Sequence, residues 1–336
     1  MIWLFVVVLF AGQFETTFHA GLVALNQNDL GVAEAQLEAA SKLEPRDGRV
    51  WLALAQTYRR LDKTGQAQAA ARNAETFASN GALLKALALY YSEAADFVKA
   101  AEMLQGAIRR NALDESSYFD LAQLYLKQQN FAAALETLNA GRTHFEKSAQ
   151  IELAAGVAYY GLRRFPEATD AFLGTIRLDP DIPQPYVFLG RMLDQAEDKL
   201  ARITEVFAGF ARSAPDNYMS SFLYGKALAL QGSAGQAEAQ LRKSIQQNGQ
   251  FWESHFELGV LLDRRGEFSA AAQEIRRSSE LNPDDPMPHY RLARLYDRLG
   301  KTAEAGAERE VHARLMAGQS GTQAGTQAGM PVPLQK

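Results

Sequence analysis

The chain has 336 residues, of which 47% are hydrophobic and 22% are charged, and its formal net charge at pH 7 is −4. This composition predicts an ordered, soluble protein, and without a concentrated lysine and arginine tract we expect no nucleic-acid partner. The sequence has no cysteine. Disulfides, thiolate metal sites and a cysteine nucleophile are therefore excluded, whereas both the cytoplasm and an exported compartment fit this composition.

The N-terminal segment, residues 1–13, is hydrophobic and begins MIWLFVVVLF, and no lysine or arginine precedes Lys42. Its roughly ten apolar residues are half of what a membrane-spanning helix requires. The segment is similar to the apolar core of a secretory signal without its basic start. We expect an export signal or its remnant, and hence an exported or periplasmic protein, with membrane association through this segment as a further option. The alternative is a segment packed on the following helices of a cytoplasmic protein.

The next feature along the chain is a repeat. Residues 178–194 (LDPDIPQPYVFLGRMLD) and residues 281–297 (LNPDDPMPHYRLARLYD) share eight residues at matching places and lie 103 residues apart. This separation is close to three times 34, and a 34-residue period holds from Phe14 to Gln319. We number the positions of each 34-residue unit from 1 and call them places. In the clearest units, places 7 and 24 hold large apolar residues, places 8 and 20 hold small ones, place 11 holds an aromatic residue or leucine, and place 32 holds proline.

The spacing within each unit predicts two amphipathic helices. Places 4, 7, 8 and 11 share one face of a helix, as do places 20, 24 and 27, because neighbours on a helical stripe are three or four residues apart. Small residues at places 8 and 20 allow the two helices to approach closely. Proline at place 32, as at Pro180 and Pro283, ends the second helix.

This pattern resembles the tetratricopeptide repeat. The resemblance covers residues 14–319 and implies an all-α fold, an α-solenoid of about nine helix–turn–helix units in a right-handed superhelix. The sixth unit is one residue longer than the 34-residue period, and it has Ile203 and Phe210 where small residues are usual. We therefore expect altered helix packing there. Residues 320–336 are rich in Gly, Gln and Thr and are predicted to form a disordered tail. The nine units are residues 14–47, 48–80, 81–114, 115–148, 149–182, 183–217, 218–251, 252–285 and 286–319.

The sequence shows no arrangement of residues that is typical of catalysis. Its five histidines are spread over four units without metal-ligand spacing: His19, His144, His255, His289 and His312. It has no phosphate-binding loop, dinucleotide-binding motif or nucleophile elbow. We therefore expect no catalytic residue, no cofactor, no metal site and no enzymatic activity.

The resemblance also implies a binding surface, because the first helices of such arrays line a groove that receives peptides. The core takes places 4, 7, 8 and 11, so places 2, 5, 9, 12 and 13 are expected to face the groove. Place 5 is apolar in most units and aromatic in much of the second half. The alternative is that place 5 is partly buried and that the charged residues pair along the helix surface. The predicted partner-binding residues are Phe119, Arg191, Phe222, Lys226, Phe256, Tyr290, Arg294 and Arg298.

The resulting functional hypothesis is a non-catalytic scaffold that binds a protein or peptide partner in this groove. One alternative is a substrate-binding or regulatory subunit of a separately encoded enzyme complex. Another is a structural spacer that self-associates through its ends. Some family members hold a terminal carboxylate with a Lys/Asn/Arg clamp, but only Lys85 matches it here, with Leu89 where asparagine is needed. The partner's identity and the oligomeric state stay open.

Overall fold

The computed structural model describes the backbone of residues 2–322 and the side chains of residues 12–318, and all regular structure in this range is helical. The chain divides into two compact units, Met1–Leu162 (unit 1) and Arg163–Lys336 (unit 2). From here on, unit refers to one of these two parts, and each 34-residue helix pair is called a repeat. The helices of unit 1 are α1 Ile2–Asn26, α2 Leu30–Leu43, α3 Gly48–Arg60, α4 Thr64–Thr76, α5 Gly81–Glu93, α6 Phe97–Arg110, α7 Glu115–Lys127, α8 Phe131–Arg142 and α9 Ala149–Gly161.

Unit 2 follows the same helical plan. Within each unit the helices form pairs such as α3 with α4 or α15 with α16, and each second helix also packs on the first helix of the next pair. The all-α fold with stacked helix pairs is therefore confirmed. The helices of unit 2 are α10 Phe165–Leu178, α11 Gln184–Arg191, α12 Leu200–Ser213, α13 Tyr218–Leu230, α14 Ala234–Gln247, α15 Trp252–Arg264, α16 Phe268–Leu281, α17 Pro286–Arg298 and α18 Thr302–Thr322.

Small residues allow the paired helices to cross closely. A Cβ on Gly259 of α15 would lie 2.6 Å from Cδ1 of Ile275 on α16, so any larger residue would have to displace the isoleucine side chain. The alanines at place 20 meet the first helix in the same way, and large residues at place 24 fill the remaining space. All of these alanines are buried: Ala33, Ala67, Ala100, Ala134, Ala168, Ala237, Ala271 and Ala305.

The turn inside a helix pair holds one residue in the left-handed backbone region. In three turns of unit 2 this residue is glycine, as at Gly300 with a φ of 72°. In unit 1 the same position can hold a residue with a side chain, such as Ala95 with a φ of 59°. The following residue donates its N–H to the carbonyl five residues earlier, at 2.8 Å from Lys301 to Tyr296. Because the left-handed conformation costs a non-glycine residue about 1–2 kcal/mol, the packing of the two helices determines the turn at Ala95.

The sixth repeat departs from this plan, as its sequence predicts. Helix α11 has only 8 residues and is followed by two 3-10 turns, Leu193–Gln195 and Glu197–Lys199. Ile203 replaces the alanine of place 20 and is fully buried. We attribute the early end of α11 to Ile203, because its larger side chain prevents the close crossing that alanine allows.

The predictions for the two ends concern residues that the structure covers only in part. Helix α1 begins at Ile2, but the side chains of residues 2–11 lie outside the described residues. No helix in the part of the chain that the structure describes has both the length and the apolar character needed to cross a bilayer. Helix α18 ends at Thr322, and the remainder of the predicted tail, residues 323–336, lies outside the described residues.

Candidate partner-binding groove

The first helices of unit 2, α11, α13, α15 and α17, carry the candidate surface. We call their residues at places 2, 5, 6, 9, 12 and 13 the groove face of unit 2. Helix α17 shows the alternation most clearly, because Leu292 and Tyr296 at the core places are buried whereas Met287, Tyr290 and Arg294 are exposed. One side of α17 thus packs on its own unit, and the other is accessible.

The aromatic residues of place 5 differ in their accessibility. Phe119 of unit 1 and Phe222 of unit 2 are only 3% and 7% exposed, so both contribute mainly to the core of their units. Phe256 is half-buried, and Tyr290 is 43% exposed. Met287, one turn before Tyr290, is 46% exposed. The accessible apolar surface therefore lies on α15 and α17.

Two of the predicted basic residues are occupied within their own unit. Lys226 lies 3.4 Å from Oε1 of Glu257, and Arg298 forms an ion pair with Asp263. The guanidinium of Arg298 also lies 5.0 Å from the centre of the Phe268 ring. These contacts agree with the alternative that charged residues pair along the helix surface.

The other two predicted basic residues are free of such pairs. Arg191 on α11 and Arg294 on α17 are exposed, and neither forms an ion pair with any described residue. The guanidinium of Arg294 lies 5.8 Å from the centre of the Tyr290 ring on its own helix. Arg264 at place 13 of α15 is likewise exposed and without an ion pair among the described residues. This part of the groove face therefore carries uncompensated positive charge.

Arg291, at place 6 of α17, is a groove residue that the sequence analysis missed. Its guanidinium lies 5.4 Å from the centre of the Phe256 ring, and its Nε is buried with no acceptor in the described part of the chain. Burial lowers the pKa of Arg291, while Asp263 and Glu257 raise it and Arg264 and Arg294 lower it further. Arg291 thus lies within electrostatic range of the exposed Arg264 and Arg294. The sequence indicated Arg291 only as a third basic residue on α17, beside Arg294 and Arg298.

Glu253, at place 2 of α15, is a second groove residue that was not singled out. Its Oε2 is buried and accepts no hydrogen bond from the described residues. Burial raises the pKa of Glu253, although Arg191 and Lys226 act in the opposite direction. Gln184 at place 2 of α11 also has a buried Oε1 without a donor among the described residues. Buried polar atoms are normally paired, so these two atoms depart from the usual pattern.

Two histidines of unit 2 have a role in packing that the sequence analysis left unspecified. His255 lies with Nδ1 at 2.7 Å from Glu274 of α16, and His289 lies with Nδ1 at 2.6 Å from Glu308 of α18. Each pair joins the first helix of a repeat to its second helix, and the two pairs are 34 residues apart. Their position between paired helices gives both histidines a structural function.

The repeated helix pairs match a known protein family. The family model described as "Tetratricopeptide repeat" matches residues 18–82, 85–144, 119–183, 234–286 and 256–315, which together cover well over half of the chain. The chain is a tetratricopeptide repeat protein. The matched segments omit residues 184–233, and this gap contains the short α11 and the two 3-10 turns. The TPR family binds protein partners, and its members are generally non-catalytic scaffolds.

Solved structures with similarity to this TPR protein have low sequence identity and show the fold alone. The C-terminal part of a TPR repeat-containing protein from Cytophaga hutchinsonii is 13% identical, with 82% of this chain and 99% of that chain covered and a TM-score of 0.51. YrrB, described as a TPR protein with an unusual peptide-binding site, is 20% identical over 56% of this chain and 96% of its own, with a TM-score of 0.47. No curated protein matches the sequence.

In unit 1 of the TPR array, the basic residues on the first helices are paired except for the exposed Lys127 of α7, which has no ion pair among the described residues. Arg49 bonds Glu15 at 3.0 Å and Asp47 at 2.6 Å, and Arg59 pairs with Glu93. Arg60 donates to the carbonyl of Leu25 at 3.0 Å. The charges that face the groove in this unit are therefore largely satisfied by the protein itself.

Lys85, the single match to the carboxylate clamp, is also occupied. Its Nζ donates to Oδ2 of Asp114 at 3.0 Å and to Oγ of Ser116 at 2.6 Å. Asp114 accepts two further hydrogen bonds at 2.7 Å, from the hydroxyl groups of Ser116 and Ser117. Burial alone would raise the pKa of Asp114, but these hydrogen bonds and the charge of Lys85 lower it to about 2. Lys85 thus supports the structure of unit 1.

We expect Asp114→Asn to lower the free energy of unfolding by about 1 kcal/mol at pH ~7, a figure reduced for solvent screening because Asp114 is partly exposed. The folded-state pKa lies below the unfolded value, so the stabilisation is present above pH ~4 and is lost as the pH falls through about 2. Urea unfolding of both proteins across this range measures the difference. Glu102→Gln, at an exposed position on α6, is the control, and a gap between Asp114→Asn and the wild type that persists unchanged at pH ~2 would contradict this account.

Proposed function

We propose that the groove face of unit 2 binds a polypeptide partner and that the protein is a non-catalytic interaction scaffold. The observation that carries this proposal is the exposed stripe of Met287, Tyr290 and Arg294 on α17, which lies beside the half-buried Phe256. Large apolar residues exposed next to one another, with arginine among them, are typical of the energetically dominant parts of protein interfaces.

The exposed donors of the groove face fit a partner that binds in an extended conformation. An extended chain presents backbone N–H groups and carbonyls that no secondary structure satisfies. The exposed guanidinium groups of Arg191 and Arg294 can donate to such carbonyls. Apolar side chains of the partner would then pack on Phe256, Met287 and Tyr290.

The experiment that tests the proposal places a photo-crosslinking amino acid at Tyr290 in the native host. We expect one discrete crosslinked partner from Tyr290 and none from the same substitution at Gln236, an exposed position on the second helix α14. Phe256→Ala and Arg294→Glu, introduced into the crosslinking protein, are expected to reduce the yield about tenfold, since each removes about 1.4 kcal/mol or more of binding free energy. Equal yields from Tyr290 and Gln236, or yields unaffected by both variants, would rule out this surface.

The identity of the crosslinked partner separates the scaffold from the alternative function. Recovery of an enzyme whose activity depends on this protein would support a substrate-binding or regulatory subunit.

For the location, we propose that residues 1–13 are an export signal or its remnant, on the basis of their apolar composition. Recovery of the chain exclusively from the cytosolic fraction of the host would contradict that location.

A further inference from the structure

We propose that the segment bound on the groove face of unit 2 is acidic and that its carboxylates pair with Arg191, Arg264, Arg291 and Arg294. This inference rests on the proposed function, because it names the chemistry of the partner for the same surface. The groove face therefore selects a polypeptide in which acidic residues alternate with apolar ones.

The first line of support is the balance of charge after internal pairs are removed. Lys226 and Arg298 are neutralised by Glu257 and Asp263, and Asp297 pairs with Arg309 of α18. In the described part of the chain, four arginines and two carboxylates on this face then have no internal ion pair, and the carboxylates are the half-buried Glu253 and the exposed Asp194. The excess is positive, and complementary charge in the partner would stabilise the complex.

The second line of support is the comparison with unit 1. Arg49, Arg59 and Lys85 occupy equivalent stripes on the first helices of that unit, and each pairs with a carboxylate. The carboxylate comes from a neighbouring repeat for Arg49 and Arg59, and from the end of the same repeat for Lys85. The same repeat geometry can therefore neutralise arginine and lysine internally. In unit 2, Arg191 and Arg294 lack such a carboxylate among the described residues. An external carboxylate is the corresponding partner.

The third line of support is the geometry around α17. The guanidinium groups of Arg291 and Arg294 lie 5.4 Å and 5.8 Å from the ring centres of Phe256 and Tyr290, respectively. Each arginine is thus placed beside an accessible aromatic ring. An acidic side chain followed by an apolar one would place its carboxylate on the guanidinium, where paired N–H donors match two carboxylate oxygens, and its apolar neighbour on Tyr290 or Met287.

A polypeptide fits this surface better than a nucleic acid does, although phosphates also bind arginine. Glu253, Glu257 and Asp263 lie among the arginines of the same face. Glu257 and Asp263 are neutralised by Lys226 and Arg298, but Glu253 has no ion pair among the described residues, and a phosphate backbone with a charge at every nucleotide would be repelled by it. A polypeptide alternates charged side chains with neutral backbone, whose N–H groups can donate to Glu253.

The test uses the full chain and three fluorescently labelled peptides in which leucine alternates with glutamate, glutamine or lysine. Fluorescence anisotropy is expected to show binding of the glutamate peptide at least about tenfold tighter than that of the glutamine peptide, because hydrogen bonds to charged groups contribute about 1.5–3 kcal/mol. Its affinity should also fall as salt rises. Arg294→Glu is expected to weaken the glutamate peptide about tenfold, whereas Arg202→Glu, at an exposed arginine on the second helix α12, leaves it unchanged.

The outcomes separate this inference from the proposed function. If the glutamine or lysine peptide binds as tightly as the glutamate peptide and Phe256→Ala weakens it, the groove face binds peptides without the acidic preference, and only the inference fails. If no peptide binds, if Arg202→Glu weakens binding as much as Arg294→Glu, or if oligouridylate displaces the glutamate peptide, the inference is rejected. In these cases the crosslinking at Tyr290 decides the proposed function independently.

Discussion

Phe207→Ala is expected to lower the free energy of unfolding by about 3–5 kcal/mol, the usual cost when a phenylalanine side chain is removed from a core. Phe207 lies on α12 with 0% exposure and occupies place 24 of the sixth repeat. The neighbouring Ile203 is also fully buried, and α11 is already shortened. Because the local backbone has no regular helix pair to close around the cavity, we expect little compensation by repacking.

Phe210→Ala provides a matched control three residues further along α12. Phe210 is half-buried, and its ring stacks on Tyr186 at 4.3 Å. Its removal leaves no enclosed cavity, so we expect a smaller cost of about 1–2 kcal/mol. Urea unfolding of both variants, followed by far-UV circular dichroism, measures the difference. Equal costs for the two variants would show that the sixth repeat is not packed around Phe207.

The second large effect is expected from Gly225→Ala, which should destabilise the protein by about 1–3 kcal/mol. Gly225 stands at place 8 of α13, where a Cβ would lie 2.9 Å from Cγ and 3.1 Å from the backbone N of Leu241 on α14. The leucine side chain could adopt another rotamer, but the backbone N could retreat only if α13 and α14 moved apart. Such a movement would loosen the contact with Ala237, which is fully buried.

Gly235→Ala is the control for the change of residue type, and it should act in the opposite direction. A Cβ on Gly235 of α14 would meet no atom within 4 Å. Alanine in a helix is favoured over glycine by about 0.5–1 kcal/mol, because it loses less backbone entropy on folding. Thermal unfolding should therefore place Gly225→Ala below the wild type and Gly235→Ala at or above it. A lower midpoint for both variants would remove the close-crossing explanation.

The fold was predictable from the sequence because its determinants are local and recur. Large residues at places 7 and 24 and small residues at places 8 and 20 identify helix pairs without any knowledge of distant contacts. Even the irregular sixth repeat was indicated by Ile203 at a place that favours alanine. The form of the irregularity, a short α11 followed by 3-10 turns, was not predictable, because it depends on how the buried Ile203 packs against the rest of its repeat.

The groove was predictable as a stripe but not in its detail. Place 5 predicted Phe119, Phe222, Phe256 and Tyr290 as equivalent, yet the first two are buried and Tyr290 is 43% exposed. The period specifies which side of its own helix a residue occupies. Its accessibility also depends on distant parts of the chain, because the ring of Phe251 packs against Phe222 with the ring centres 5.0 Å apart, whereas Tyr290 stays exposed.

The sequence alone determined the all-α repeat architecture, the helix pairs and the family, because helical periodicity and close crossing require particular residues at fixed spacing. Only the tertiary structure decided which basic residues of the groove face are available to a partner. Lys226 and Arg298 pair with carboxylates from adjacent repeats, whereas Arg191 and Arg294 have no such pair in the part of the chain that the structure describes. The physical reason is that an ion pair requires its two charged atoms within about 4 Å of each other, and such a distance between repeats is set by packing.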